Sequence, residues 1–153
     1  MRLRTVALST VTSAGLTTSV TAYTSGDQVG TEIDMGFAVP IKQVITIVGL
    51  VVVDAGNVLV DHDLYFFNAA TTPAADNAAA SWSDADMAKI CTVVNLTADN
   101  ASALNKTITW EGRKPFVLDS GNALKVNIVT RSGNSFFVAA TDVTIRAFVE
   151  MGE

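Results

Sequence analysis

The residues best equipped for chemistry sit together in Asp61-His62-Asp63, which holds the chain's one histidine. A histidine between two carboxylates suits two kinds of site. The three groups could ligate a divalent metal, or the imidazole could act as a general base steadied by a carboxylate. Both uses require the groups to converge. The residues that follow, Leu64-Tyr65-Phe66-Phe67, are those of a strand. On a strand, successive side chains point to opposite faces. Asp61 and Asp63 then share a face with Tyr65 and Phe67, while His62 joins Val60, Leu64 and Phe66 on the other. A zinc site would also need a third or fourth ligand, usually His or Cys. No second histidine exists, and the one cysteine, Cys91, is distant in sequence. The expectation is no metal and no cofactor. His62 is expected to be partly buried or at a subunit interface, where its charge near pH 6 would modulate assembly.

Other chemistry is equally sparse. The chain has no G-x-S-x-G elbow, no Walker A loop and no G-x-G-x-x-G turn. Asp84 and Asp86 form a second carboxylate pair, which fits a helix start better than catalysis. Ser83 can cap, the aspartates suit the positive end of the helix dipole, and Lys89 falls at the other end. One short helix is expected near residues 84–89, and no enzymatic activity.

The elements that would position these groups are mostly β. Short runs of Thr, Val, Ile and Phe alternate with turns rich in Gly, Asn, Asp and Ser. Strands are expected over Thr5 to Leu8, Val29 to Met35, Lys42 to Val53, Val58 to Phe67, Ile90 to Leu96, Thr107 to Glu111, Pro115 to Leu118, Leu124 to Thr130 and Asp142 to Met151. The strand over Lys42 to Val53 is long and mostly apolar, the pattern of burial on both faces, with a bend at Gly49. Asp54-Ala55-Gly56-Asn57 reads as a hairpin turn joining it to the next strand, and Glu111-Gly112 as another turn. Residues 69–89 break the pattern and form a loop. Many short strands at this spacing make an all-β sandwich or barrel, in a single domain over residues 1–153.

Composition narrows the function further. Apolar residues make up 49% of the chain and charged residues only 16%, against a usual quarter charged. No run approaches the ~18–20 apolar residues of a membrane helix. The apolar surplus therefore needs a subunit interface. A net charge of −5 gives no counterion release on nucleic acid, so neither DNA nor RNA is expected as a partner. No polybasic stretch points to a membrane. Met1-Arg2-Leu3-Arg4 followed by Val20-Thr21-Ala22 has the outline of a signal peptide, but Ser and Thr dilute the middle, and a first strand fits better.

Residues Leu59 to Leu96 contain an aspartate and an alternating apolar strand around Asp63-Leu64 and Phe66-Phe67. Pro73 and Asp76-Asn77-Ala78-Ala79 follow, then Asp84-Ala85-Asp86-Met87-Ala88-Lys89-Ile90 leading into a valine-rich strand. Together with the opening LRTVALST, the stretch from Tyr23 to Gly30 and the late PFVLDSGNALKVNIVTRSG, this pattern resembles the capsid decoration (cement) proteins of tailed bacteriophages. The resemblance spans most of the chain in loose motifs. Met87 stands where the family usually has leucine, a near-neutral exchange in a core. The resemblance implies a jelly-roll-like β-sandwich on the outer surface of a virion, made in the host cytoplasm. It implies binding to the major capsid protein, often as a homotrimer, to strengthen contacts between shell subunits. Binding only the mature shell would stabilise that state by linkage.

Interface candidates follow from residue type. Trp82 is a large aromatic in an otherwise small and polar loop. Residues 1–12 could form an extended arm that adds a strand to a neighbour, with Arg2, Leu3 and Arg4 meeting an acidic patch. Phe37 lies between two strands and has core packing as its simpler explanation; His62 completes the set. Two other classes remain: another virion part, such as a head-tail connector, tail or spike component, and a carbohydrate-binding β-sandwich.

Overall fold

The computed structural model describes residues 7–12, 21–54, 61–97, 100–101, 106–119, 121–131, 133 and 143–151. Its elements in chain order are β1 (Ala7–Thr12), β2 (Gln28–Ala38), β3 (Gln43–Asp54), β4 (His62–Phe67), α1 (Asp84–Met87), β5 (Ile90–Leu96), β6 (Asn100–Ala101), β7 (Lys106–Leu118), β8 (Ala123–Thr130) and β9 (Val143–Met151). The chain is all-β, as its composition required. α1 begins where Ser83 caps it, the hydroxyl accepting from the Asp86 amide at 3.1 Å.

Two antiparallel sheets form, in the orders β1-β9-β3-β7-β6 and β2-β8-β4-β5. With the two-residue β6 set aside, the pairing is nested. The first strand pairs with the last, β2 with β8, β3 with β7 and β4 with β5. β9 also pairs with β3, and β8 with β4, which closes each sheet. Eight strands paired in this nested way, folded over as two sheets, are the jelly-roll arrangement.

The core lies between the sheets. β3 contributes Ile45, Ile47, Leu50 and Val52, and β9 contributes Ile145, Ala147 and Val149. Leu64 and Phe66 of β4 and Leu124, Val126 and Ile128 of β8 face them, and all are at most 2% exposed. Each side is an alternating set, so one face of each strand supplies the core.

Three expectations need correction. The residues from Asp54 do not close a hairpin between β3 and β4. β3 pairs with β7 and β9 in one sheet, and β4 with β5 and β8 in the other. Turn residues mark a change of direction but not which sheet the chain enters next; residues 55–60 lie outside the described set. Glu111-Gly112 is not a turn either. β7 runs unbroken from Lys106 to Leu118, with an irregular register opposite Ile47 to Gly49. A Cβ at Gly112 would lie 2.5 Å from the Trp110 ring, so the ring or the backbone would have to shift to admit one. The third correction concerns β3. Its bend at Gly49 is present as a register shift, but only its inward face is fully buried: the outward residues are partly covered, and Val44 is exposed.

Candidate functional site

The two outer faces of the sandwich differ. The outer face of the four-stranded sheet is roofed by the segment between β4 and β5. Glu32 accepts from the Thr71 amide at 2.8 Å and from the Thr71 hydroxyl. Asn127 donates to that hydroxyl at 3.0 Å. Asp76 accepts from the Tyr23 hydroxyl at 2.7 Å and the Gly30 amide at 2.6 Å. Asn77 to Ala80 run along the edge of β2, exchanging main-chain bonds with Gly26 and Gln28. Lys89 ties the base of the segment, donating to the Ala70 carbonyl and to Asp86, each at 2.7 Å. The Lys89 hydrogen bond holds the Asp86 carboxyl below its ordinary value, helped by the Thr72 amide and Ser83 against the opposing effect of burial.

Trp82 belongs to this roof. Its ring lies 4.7 Å from Tyr65 and 5.8 Å from Phe67, both tilted contacts. Tyr65 and Phe67 point outward from β4, opposite to Leu64 and Phe66. Trp82 is therefore only partly exposed and is engaged within its own chain.

The Asp61-His62-Asp63 stretch lies at the start of β4, with the alternation expected of it. Asp63 and Asp61 face Arg131, with nitrogen–oxygen distances of 3.0 and 3.9 Å. Arg131 also donates to the Leu96 carbonyl at 2.8 Å. The two carboxylates serve an ion pair that ties β4 to the end of β8. His62 points the other way, into the sandwich, and is 5% exposed. The ring is enclosed by its own chain. Burial is the main cause that lowers its pKa to about 4; Asp61 raises it and Arg131 lowers it further. Burial thereby moves the titration of this ring below the pH 6 region. Among the described residues, no group of three or more His, Cys, Asp or Glu side chains could hold a metal ion.

Phe37, near the end of β2, is half-buried and packs against the core. Arg2, Leu3 and Arg4 lie outside the described residues. Of the proposed arm, Ala7–Thr12 forms β1 and pairs with β9 of the same chain.

The outer face of the five-stranded sheet has no such roof among the described residues. Its central strand, β3, presents Val44, Thr46, Val48, Val51 and Val53 outward, with no charge among them. Val44 is 51% exposed, and its cross-strand partner Val117 is 41% exposed. An antiparallel sheet with one wet face normally alternates apolar and polar residues; this strand does not. Charges flank it instead, with Glu111 and Arg113 on β7 and Arg146 and Glu150 on β9. Arg113 and Glu150 pair across β3 at 2.7 Å. Gly49, opposite both Glu111 and Phe148, leaves a gap in the row. The depression there, about 480 Å³, is bounded by Val48, Val51, Thr109, Glu111 and Phe148 among others.

Sequence reasoning selected none of the residues on this face. Its one visible signal was the charge-free run from Val44 to Val53, which reads as a strand buried on both sides.

No family model matches the chain, and no curated protein does. Among solved structures, it overlaps "Structure of infectious bursal disease virus Gx strain" at 12% identity and a TM-score of 0.39, over 96% of this chain and 32% of that one. It overlaps "Crystal structure of infectious bursal disease virus VP2 subviral particle" at 15% identity and a TM-score of 0.37, over 96% of this chain and 41% of that one. The chain thus spans less than half the length of either. The fold assignment rests on the strand order, not on these overlaps.

Proposed function

We propose that the protein is a non-enzymatic structural component of a virion, and specifically a head decoration (cement) protein that binds the major capsid protein on the outer surface of the shell. The observation that carries this reading is the apolar, partly exposed outward face of the five-stranded sheet, which marks the chain as a part of a larger assembly. A jelly roll that leaves the outward side of its central strand apolar and only partly covered is built to be completed by another protein surface. The sequence resemblance to tailed-phage decoration proteins supplies the setting. Such a role needs contact area rather than a reaction. Each added interface raises the free energy required to separate neighbouring shell subunits, and preference for the mature shell would stabilise that state by mass action. The resemblance adds a homo-oligomer and synthesis in the host cytoplasm to this proposal.

The test is the copy number of the protein in purified virions of its source, relative to the major capsid protein. A simple-fraction ratio is expected. A handful of copies per particle would move the protein to the neck or tail. Absence from virions would overturn the reading altogether.

A further inference from the structure

We infer that the bare face of the five-stranded sheet is a self-association surface, on which two copies of this chain pack face to face about a twofold axis running along β3. The inference rests on the protein's being an assembly component and names which partner takes that face.

Three observations lead there. The first is the mismatch on β3. Its residues have the apolar character of a strand buried on both sides, yet the chain fully buries only the side carrying Ile45, Ile47, Leu50 and Val52 and leaves the other partly exposed, with Val44 51% exposed. A second sheet stacked at about 10 Å would bury the other. The same uncharged stripe on a second copy meets it along β3, with the charges confined to the flanking strands β7 and β9.

The second observation is electrostatic. Glu111 is exposed on the β7 side, opposite Gly49, and Arg146 is exposed on the β9 side, opposite Val51. Neither has an ion-pair partner among the described residues, whereas the other opposed pair, Arg113 and Glu150, is already joined at 2.7 Å. The face is therefore balanced in a chain whose net charge is −5. A twofold axis along β3 exchanges the β7 and β9 sides. It brings Glu111 of one copy beside the partner's Arg146, offset by two residues, or about 7 Å along the strand. Two long side chains span that offset, and symmetry makes the contact twice. An axis across β3 would instead set β7 upon β7 and bring the two glutamates towards each other. The charges thus select one of the two face-to-face arrangements.

The third observation is shape. In the selected arrangement each β9 lies over the other copy's β7. The depression left by Gly49, on the β7 side of Phe148, then receives the partner's Phe148. A ring filling a gap made by a missing side chain is the usual form of an interface anchor.

The experiment is sedimentation equilibrium of the full chain and two charge reversals, Glu111→Lys and Arg146→Glu. Wild type is expected at twice the 16.1 kDa chain mass. Monomers at every concentration, or trimers, would overturn the inference, because an isologous face pairs only in twos. Each reversal alone sets like charges against each other twice and is expected to weaken association by at least about tenfold. An equimolar mixture of the two variants restores both attractions and is expected to recover a one-to-one dimer. Singles that associate like wild type, or a mixture that stays monomeric, would refute the arrangement. Both positions are exposed, and circular dichroism checks the fold; if one single misfolds, the double reversal within one chain is expected to dimerise like wild type. The virion copy number is read independently, so either proposal can fail without the other.

Discussion

Replacing His62 with leucine is expected to remove most of the protein's sensitivity to mild acid. His62 is 5% exposed, and the ring nitrogen Nδ1 has no hydrogen-bond partner among the described residues. Burial lowers its pKa from 6.5 to about 4 in the fold, whereas the unfolded chain keeps the ordinary value. Well above pH 6.5 the ring is neutral in both states and contributes no pH-dependent cost. As the pH falls below 6.5, the unfolded chain takes up a proton that the folded protein refuses, so stability declines until the pH reaches about 4. At about 1.4 kcal/mol per pH unit, that interval makes a loss of roughly 3 kcal/mol. Against a typical total of about 5–15 kcal/mol this is a large share. Asp34 and Asp86 are held below their usual value of 3.8, by Lys125 and Lys89 respectively. Their stabilising effect is lost at lower pH, outside the histidine window. The assay is urea unfolding of wild type and His62→Leu at a series of pH values. Wild type should lose stability relative to the variant as the pH drops through the window, with a limiting slope near 1.4 kcal/mol per unit. A constant difference between the two proteins would refute the reasoning. So would a histidine ring proton in wild-type NMR spectra that titrates near 6.5, a readout that does not depend on the variant folding.

Two further outcomes are expected. Trp82→Ala should destabilise by about 2–3 kcal/mol in urea, from lost packing on Tyr65 and Phe67. Trp82→Phe should stay within about 1 kcal/mol of wild type, because it keeps a stacked ring and removes a buried indole N–H that has no acceptor among the described residues; an alanine variant as stable as wild type would mean the roof does not depend on this ring. Burial pushes the Cys91 thiol up to about 12, so the native protein should react with a thiol-specific reagent at neutral pH only as it unfolds; a native rate like that of a free thiol would contradict the burial.

Local chemistry was legible in the sequence where a few adjacent residues decide it. Asp61, His62 and Asp63 alternate in polarity with their neighbours, which fixed the two faces of β4 before any partner strand was known. Ser83 and the aspartates after it marked the helix start, and β5 runs from Ile90 to Leu96 as its β-branched run suggested. The errors came where the outcome depends on a distant partner. Asp54 and the residues after it look like a hairpin turn, but whether the chain stays in its sheet depends on β7 and β9 outcompeting β4 for β3. Gly112 looks like a break until Trp110 is seen to fill the space beside it. The candidate interface was the least legible part. Val51, Thr109 and Arg146 are adjacent only because three strands far apart in sequence share a register. Trp82 drew attention by its size, yet a loop tryptophan can as readily close a roof over its own sheet.

The nested pairing has a consequence for how the protein is made. β9 is the last described strand to be synthesised, and it lies between β1 and β3. Until it emerges from the ribosome, β1 has no hydrogen-bonded neighbour and one edge of β3 stays open. The growing chain must therefore hold its most apolar strand unpaired on that side throughout elongation. Long-range pairing of this kind makes folding slow and leaves nascent strands open to association with one another. For a protein made in many copies, the hazard grows with expression level. Correct folding then depends on how quickly the final strand inserts, rather than on how stable the finished sandwich is.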